Sequence, residues 1–366
     1  MTPGYDVAVV GGGPVGLAAA AAAARKGLSV VLLEREALPH DKACGEGVMP
    51  AGLAVLERLG ARARIPADEA SPFRGIRYVQ EDGTSVEGEL PGTGGLSIRR
   101  TALSAALLDT ARAAGVEVRD RTGLRSHTRS RDAVTLETDG EQLLARILVA
   151  ADGLHSPLRH AAGLDVPARG PHRFGLRQHF LRPPWTDRVE VHLSEHAEAY
   201  VTPCGPSRVG IAFLWSDRAL EAHPTIARFL ALFPRLAARV AEAPADSVAQ
   251  GAGPFQQRAR AWVADRFVLL GDAAGYVDAI TGEGLSLGFV CAEALAENLP
   301  GILVQEGRAR AFRPYLRRAE RAFRAYAWTA GAVLALARRP RLRRAVLHRL
   351  AARPPVFEWL LANTVG

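Results

Sequence analysis

Residues 6–10, D-V-A-V-V, run directly into Gly11, Gly13 and Gly16 at the spacing G-x-G-x-x-G. This restricts the fold more than any other feature of the chain. An extended apolar run must turn sharply at Gly11, admit a pyrophosphate to the backbone at Gly13, and pack the next helix closely at Gly16. A helix is predicted over 14–26, where residues 18–24 are all alanine, and Gly27 stops it. Its N-terminal amides and dipole favour a phosphate. A second strand over 28–33 ends at Glu34, about 20 residues past the glycines, where a carboxylate can hold a ribose 2′-hydroxyl. A strand–helix turn without a ligand is the competing reading, and the full set of helix, second strand and Glu34 weighs against it. Residues 7–24 are uncharged, but four glycines and a proline interrupt them, which excludes a membrane span.

Two more segments carry the same kind of signal. Residues 151–159 read A-D-G-L-H-S-P-L-R, after an apolar strand over 146–151. Residues 269–288 read L-L-G-D-A-A-G-Y-V-D-A-I-T-G-E-G-L-S-L-G. In this order and at these separations, the three segments point to FAD rather than NAD, and to an oxidoreductase rather than a binding module. Strand-like blocks separate them, over 73–90 and 174–215, without the intervening helices that a parallel sheet requires. Helices are predicted over 51–59, 101–114, 216–243 and 288–299, with a helical tail broken at Pro314, Pro340 and Pro354.

The expected fold is therefore α/β. A discontinuous Rossmann-like FAD-binding domain is assembled from 1–70, 97–160 and 262–305. An antiparallel β-sheet substrate domain comes from 71–96 and 161–261, and a helical C-terminal tail from 306–366. The formal charge of +8 conceals an asymmetry: residues 306–366 hold fourteen Arg against three Glu, leaving about −3 on the rest. Sparse aromatic interleaving argues against nucleic acid as a partner. The tail reads either as a solvated face or as a peripheral contact with an anionic membrane. Cys44, Cys204 and Cys291 form no metal spacing and no disulfide framework, so no metal is expected. The first strand begins almost at the N-terminus, which predicts a cytoplasmic protein.

These motifs resemble those of the para-hydroxybenzoate-hydroxylase-fold flavoproteins over nearly the whole chain, and within them the geranylgeranyl-reductase-like branch. Two further matches carry the resemblance: C-G-E-G-V-M-P at 44–50, and R-T-A-L beginning at Arg100. The resemblance implies that Gly11, Gly13, Val15 and Gly16 meet the pyrophosphate and Glu34 the adenosine ribose. Cys44, Gly45 and Gly47 would line the flavin, with Arg100 near the ribityl-phosphate arm and Asp272 on a ribityl hydroxyl. Gly284 and Leu285 would offer helix N-terminal amides to the isoalloxazine carbonyl region, where a positive helix end stabilises anionic reduced flavin. Arg35, Leu124 and Asp152 complete the implied contacts.

Catalysis is less legible. Cys44 is a candidate proton-donating or redox thiol, activated if Lys42 or a helix end lowers its pKa; the alternative is a small packing residue. Tyr200 is a candidate pocket phenol, or a core residue. Glu46 reads equally as an active-site or solvated carboxylate, His179 and His192 as structural residues, and His155 as a surface residue. The leading functional expectation is an NAD(P)H-dependent monooxygenase that uses dioxygen and a flavin C4a-hydroperoxide to hydroxylate an aromatic or polyketide-like lipophilic small molecule. The alternative is an ene-reductase of an isoprenoid or related alkene. Prenyl reductases of this branch carry Y-x-W-x-F-P, whereas residues 200–203 here read Y-V-T-P. Halogenases carry W-x-W-x-I-P, which this chain lacks.

Overall fold

The strand Tyr5–Val10 is central to the first sheet because both of its neighbours run parallel to it. Val30–Leu33 lies on one side, pairing Val9 with Leu32, and Gln142–Ala150 lies on the other, pairing Val9 with Val149. Glu117–Arg119 and Phe267–Leu269 extend the parallel sheet outward, and Val263–Ala264 closes it as an antiparallel edge. The central strands are buried on both faces and apolar, over 7–9, Val30–Leu33, 147–150 and Phe267–Leu269, as a covered parallel sheet requires, whereas Glu117–Arg119 at the edge is polar and partly exposed. A computed structural model describes residues 4–167, 172–216 and 223–364 of the chain.

The helix Pro14–Ala24 leaves this sheet with proline at its first position, and the turn beyond it is made by Gly27 at φ +79°. Its alanines let the helices Arg100–Ala113 and Gly284–Val304 approach closely, and all three share one apolar core. By length and composition Gly284–Val304 could cross a membrane, yet 56% of that apolar stretch is buried inside the protein, where it forms the floor of the core.

A second sheet has the order Gln250–Ala252, Phe174–Leu181, Arg208–Trp215, Ala197–Pro203, Arg188–Leu193, Gly75–Val79, Ser85–Glu89. It is antiparallel except between Arg188–Leu193 and Gly75–Val79, which run parallel. The expected antiparallel sheet is thus present, with this one parallel pairing added to it. The chain leaves this sheet after residue 89, runs through the first one, and returns in the same direction, which a hairpin cannot do.

The helix expected over 216–243 is also corrected. Residues 217–222 lie outside the described residues, and the remainder forms two short helices, Ile226–Leu230 and Pro234–Val240. Phe233 precedes proline and takes φ −131°, ψ 70°, outside the helical region. These helices cover one face of the sheet, with Phe229 4.6 Å from the Trp215 ring and 5.1 Å from the Phe213 ring, centroid to centroid.

In the tail, prolines start helices rather than break them. Pro314 stands in the first turn of Arg313–Ala337, and Pro340 and Pro354 open Pro340–Ala351 and Pro354–Thr364. The last helix lays Phe357 and Leu361 onto the strand Ser85–Glu89, where Gly88 makes room: a Cβ there would meet Leu361 at 2.8 Å. Arg343 is 1% exposed and anchors the tail through the Ser194 carbonyl at 2.9 Å and Glu81 at 2.6 Å.

Candidate active site

The glycine turn is fixed by what surrounds it. Gly11 has φ +112°, and a Cβ on it would lie 2.2 Å from the Ala151 carbonyl oxygen. A Cβ on Gly16 would lie 1.9 Å from the Gly11 carbonyl oxygen. Both are glycine for packing. Gly13 differs: a Cβ there would meet only the Arg100 guanidinium, at 3.8 Å. Its missing side chain therefore leaves open space at the helix N-terminus, where backbone amides can receive a phosphate. Val15, Gly271 and Gly288 join two of the three segments, since a Cβ on Gly271 would sit 3.2 Å from a Val15 methyl and one on Gly288 at 2.4 Å.

A cleft of about 1560 Å³ runs along this turn, lined by Gly11, Gly13, Glu34, Arg35, Arg100, Leu124, Asp152 and Asp272. A second cavity of about 250 Å³ shares Gly13, Arg100 and Asp272 with it and adds Val15, Gly16, Cys44, Gly45, Gly47, Tyr200, Gly284 and Leu285. Every candidate cofactor contact thus lines one or other of two cavities that share wall residues. Glu34 is buried and already organises the turn, with Oε2 accepting the Gly12 N–H at 2.6 Å and Oε1 the Glu36 N–H at 3.0 Å. Asp152 sits on the cleft wall, but both carboxylate oxygens are engaged internally, by the Ser156 hydroxyl at 2.5 Å and the Leu158 N–H at 2.9 Å. Arg159 in the same motif is a brace, 3% exposed, tied to the Ala273 carbonyl at 3.0 Å and to Asp165.

Two groups on the wall are left unsatisfied. Arg100 Nε is buried with no hydrogen-bond partner. Asp272 makes no side-chain hydrogen bond among the described residues, and burial pushes its carboxyl up to about 6 against the opposing charge of Arg100. A buried cation and a half-buried carboxyl on the wall of one open space fit a ligand that brings phosphate oxygens and sugar-like hydroxyls. The dinucleotide FAD has both. Glu283, just ahead of the helix Gly284–Val304, is pushed up to about 7 by burial, with the Thr281 hydroxyl opposing. It therefore only partly offsets the positive end of that helix at neutral pH.

The smaller cavity is walled by Met49, Ile76, Val189, Val191, Leu214 and Phe255, with Tyr78 and Tyr276. Cys44 opens onto it, and its Sγ accepts the Glu46 N–H at 3.3 Å. Burial raises the thiol pKa, and Arg100 opposes without overcoming it. Activation of the thiol by a lowered pKa is thereby corrected: Lys42 is exposed, and the thiol is held protonated at neutral pH. The Tyr200 hydroxyl donates to the Ile280 carbonyl at 2.9 Å. That bond ties the second sheet to the 278–282 loop, so Tyr200→Phe should cost about 1 kcal/mol of stability. Urea unfolding would measure it, and an unchanged midpoint would mean that the bond contributes nothing.

Sequence reasoning missed how the 44–47 loop is held. Glu46, 2% exposed at φ 61°, accepts from His179 Nε2 at 2.7 Å and from Cys204 Sγ at 3.2 Å. Burial opposes ionisation of Glu46, but the His179 hydrogen bond and the Arg177 charge outweigh it and hold the carboxyl below its usual range. Burial likewise keeps His179 neutral, and its Nδ1 accepts from Arg177 at 2.9 Å. By residue type this trio could take a metal ion, yet Arg99 and Arg177 put positive charge against the same imidazole. The cluster reads as a lock between the 44–47 loop and the second sheet. A second lock, Arg173 bridging Glu198 at 2.7 Å and Asp278 at 2.8 Å, holds the 278–282 loop. Single residues scattered over 46–278 carry no motif that would have revealed either. His155 bonds the Gly253 carbonyl at 3.0 Å, and His192 bonds Glu190 at 3.2 Å.

Residues 4–329 match the FAD binding domain family. The menaquinone reductase of Mycobacterium tuberculosis is 30% identical over 323 residues, covering 80% of this chain and 76% of that protein. Digeranylgeranylglycerophospholipid reductase 2 of Methanopyrus kandleri is 30% identical over 322 residues, with the same coverage of 80% and 76%. Among solved structures, a mutant of the halogenase PltM in complex with FAD superposes with a TM-score of 0.79 at 19% identity, over 91% of this chain and 76% of that one. At that identity the likeness speaks for the fold alone.

Proposed function

This chain belongs to the FAD binding domain family of para-hydroxybenzoate-hydroxylase-fold oxidoreductases, and from that premise we propose that it is an FAD-dependent reductase of a carbon–carbon double bond in a lipophilic, isoprenoid-like substrate. The observation that carries this reading is the Cys44 thiol, held protonated on the wall of an apolar cavity that shares Gly13, Arg100 and Asp272 with the larger cleft. When bound and first reduced by NAD(P)H, FAD would be the source of the hydride that one carbon of the alkene takes up. The chain then has to deliver a proton to the other carbon, and the protonated Sγ of Cys44 is the group placed to do so. Arg100 and Asp272 would hold the cofactor's phosphate and ribityl hydroxyls, and the Gly284 and Leu285 amides its carbonyl edge. Ile76, Val189, Val191 and Leu214 exclude water from the alkene.

Support for the substrate class comes from the two relatives, whose named substrates both contain unsaturated isoprenoid chains. Residues 200–203, Y-V-T-P, leave Thr202 on the cavity wall where prenyl reductases carry bulkier side chains. The substrate is therefore taken as a lipophilic alkene and not geranylgeranyl lipid specifically. The electron donor in this reading is NAD(P)H. The test is anaerobic turnover with NADPH and a panel of prenyl lipids and phenols. A saturated product formed without oxygen supports the reductase. A hydroxylated product that requires oxygen overturns it and assigns a monooxygenase.

A further inference from the structure

We propose that the C-terminal helices form a docking face for an anionic lipid bilayer. Eight large hydrophobic side chains are exposed among the described residues, and five of them lie in the tail: Trp328, Leu342, Val356, Trp359 and Leu360. Trp328 is 72% exposed and Trp359 64%. Tryptophan on a water-facing surface costs solvation, but at a membrane interface its ring sits at headgroup level.

The arrangement on the helix Arg313–Ala337 is ordered. At 3.6 residues per turn, Arg313, Arg317, Arg321, Arg324, Trp328 and Ala335 fall within a sector of about 80°. All six are exposed, while Tyr315, Ala319, Tyr326, Thr329 and Ala330 on the other side are buried against the protein. Among the described residues, Arg317, Arg321 and Arg324 make no ion pair, whereas Arg318, off the centre of the stripe, is paired with Glu297 at 2.5 Å. Unpaired arginines beside an exposed tryptophan match the layout of an interfacial helix, with cations on phosphate and an aromatic ring below them.

Charge complementarity selects the partner and the orientation. Residues 306–366 carry a net +11 and the remainder about −3, so an anionic surface attracts the tail and repels the body. Nucleic acid would also meet the arginines, but it gives no reason for exposed Leu342, Val356 and Leu360. The face also adjoins the apolar cavity: its wall residue Tyr78 packs edge-on against Phe357 of the last helix, centroids 5.9 Å apart. Docking would thus bring that cavity close to the lipid. The inference does not depend on the reductase reading, since binding is measured without turnover.

The test is co-sedimentation of the full-length flavoprotein with vesicles of phosphatidylcholine alone or mixed with phosphatidylglycerol, at low and high salt. Binding is expected to the anionic vesicles only and to weaken with salt. Each arginine near an anionic surface contributes about fivefold, so Arg321→Gln with Arg324→Gln should weaken binding by about 25-fold. Flavin content and melting temperature of that variant should match the parent protein. Brominated lipid should quench the parent's fluorescence and quench Trp328→Phe less. Equal binding to neutral vesicles, salt-insensitive binding, a double variant that binds like the parent, or tighter binding to DNA or RNA than to vesicles would each overturn the proposal.

Discussion

Asp272→Asn should make the FAD-free protein more stable at pH 7, by about 3 kcal/mol, while Asp272→Ala should weaken FAD binding by about 1–3 kcal/mol. The first figure follows from a carboxyl raised from 3.8 to about 6, with burial as the main cause and Arg100 opposing. A carboxyl with a raised folded pKa favours the protonated state, so the folded form binds more protons than the unfolded one between those values. Stability therefore falls as pH rises from about 4 to about 6, and the full cost is present above 6. An amide carries no such cost. Denaturant unfolding of the FAD-free proteins at pH 7 and again near pH 4 measures the difference. A gain of the same size at both pH values would show that charge burial is not its source. The two substitutions together describe a residue kept for the ligand at the expense of the empty fold, a trade common at functional sites.

Cys44→Ser should lower alkene reduction about 100-fold, the scale for removing a positioned proton donor, while FAD content and reduction by NAD(P)H stay as in the parent. A serine hydroxyl occupies the same place but is a far weaker acid than a thiol. The split between the two half-reactions separates loss of a proton from disturbed packing around the cofactor, because disturbed packing would also slow flavin reduction. The pH profile gives a second readout: the basic limb set by the thiol should vanish in the variant. If Cys44→Ser turns over at the parent's rate, Cys44 is only a wall residue. A hydroxylated, oxygen-dependent product from the same enzyme would remove the reductase reading altogether.

Much of the cofactor side was legible because its chemistry is local. A glycine turn, a helix N-terminus and a carboxylate at the end of the next strand lie within residues 6–34, and their spacing alone implies their geometry. The protonation of Cys44 was not legible. Lys42 stands two positions away in sequence, yet it is exposed, and the dominant influence is desolvation by burial, which depends on the folded surroundings and not on sequence neighbours. Glu46 and His179 were each visible, but 133 positions separate them, and nothing in either neighbourhood announces the 2.7 Å bond between them. The parallel pairing of Arg188–Leu193 with Gly75–Val79 was hidden for the same reason, since it depends on the route of the intervening chain. The helix break at Phe233 was available from Pro234 alone, because the residue before a proline avoids helical geometry.

Val15 places a limit on how chains of this kind can be recombined. Its methyls occupy the space that a side chain at Gly271 or Gly288 would need, so one wall of the glycine turn is set more than 250 positions further along. A chimera that takes its first hundred residues from one parent and the rest from another inherits the two halves of this contact separately. With a residue bulkier than valine at 15, the 271 and 288 glycines of the other parent cannot yield, because the backbone there is already in contact. With a side chain at 288, position 15 must shrink to glycine or alanine. Crossovers between the first and third cofactor segments should therefore survive selection only when these three positions come matched, while crossovers within the tail escape that constraint.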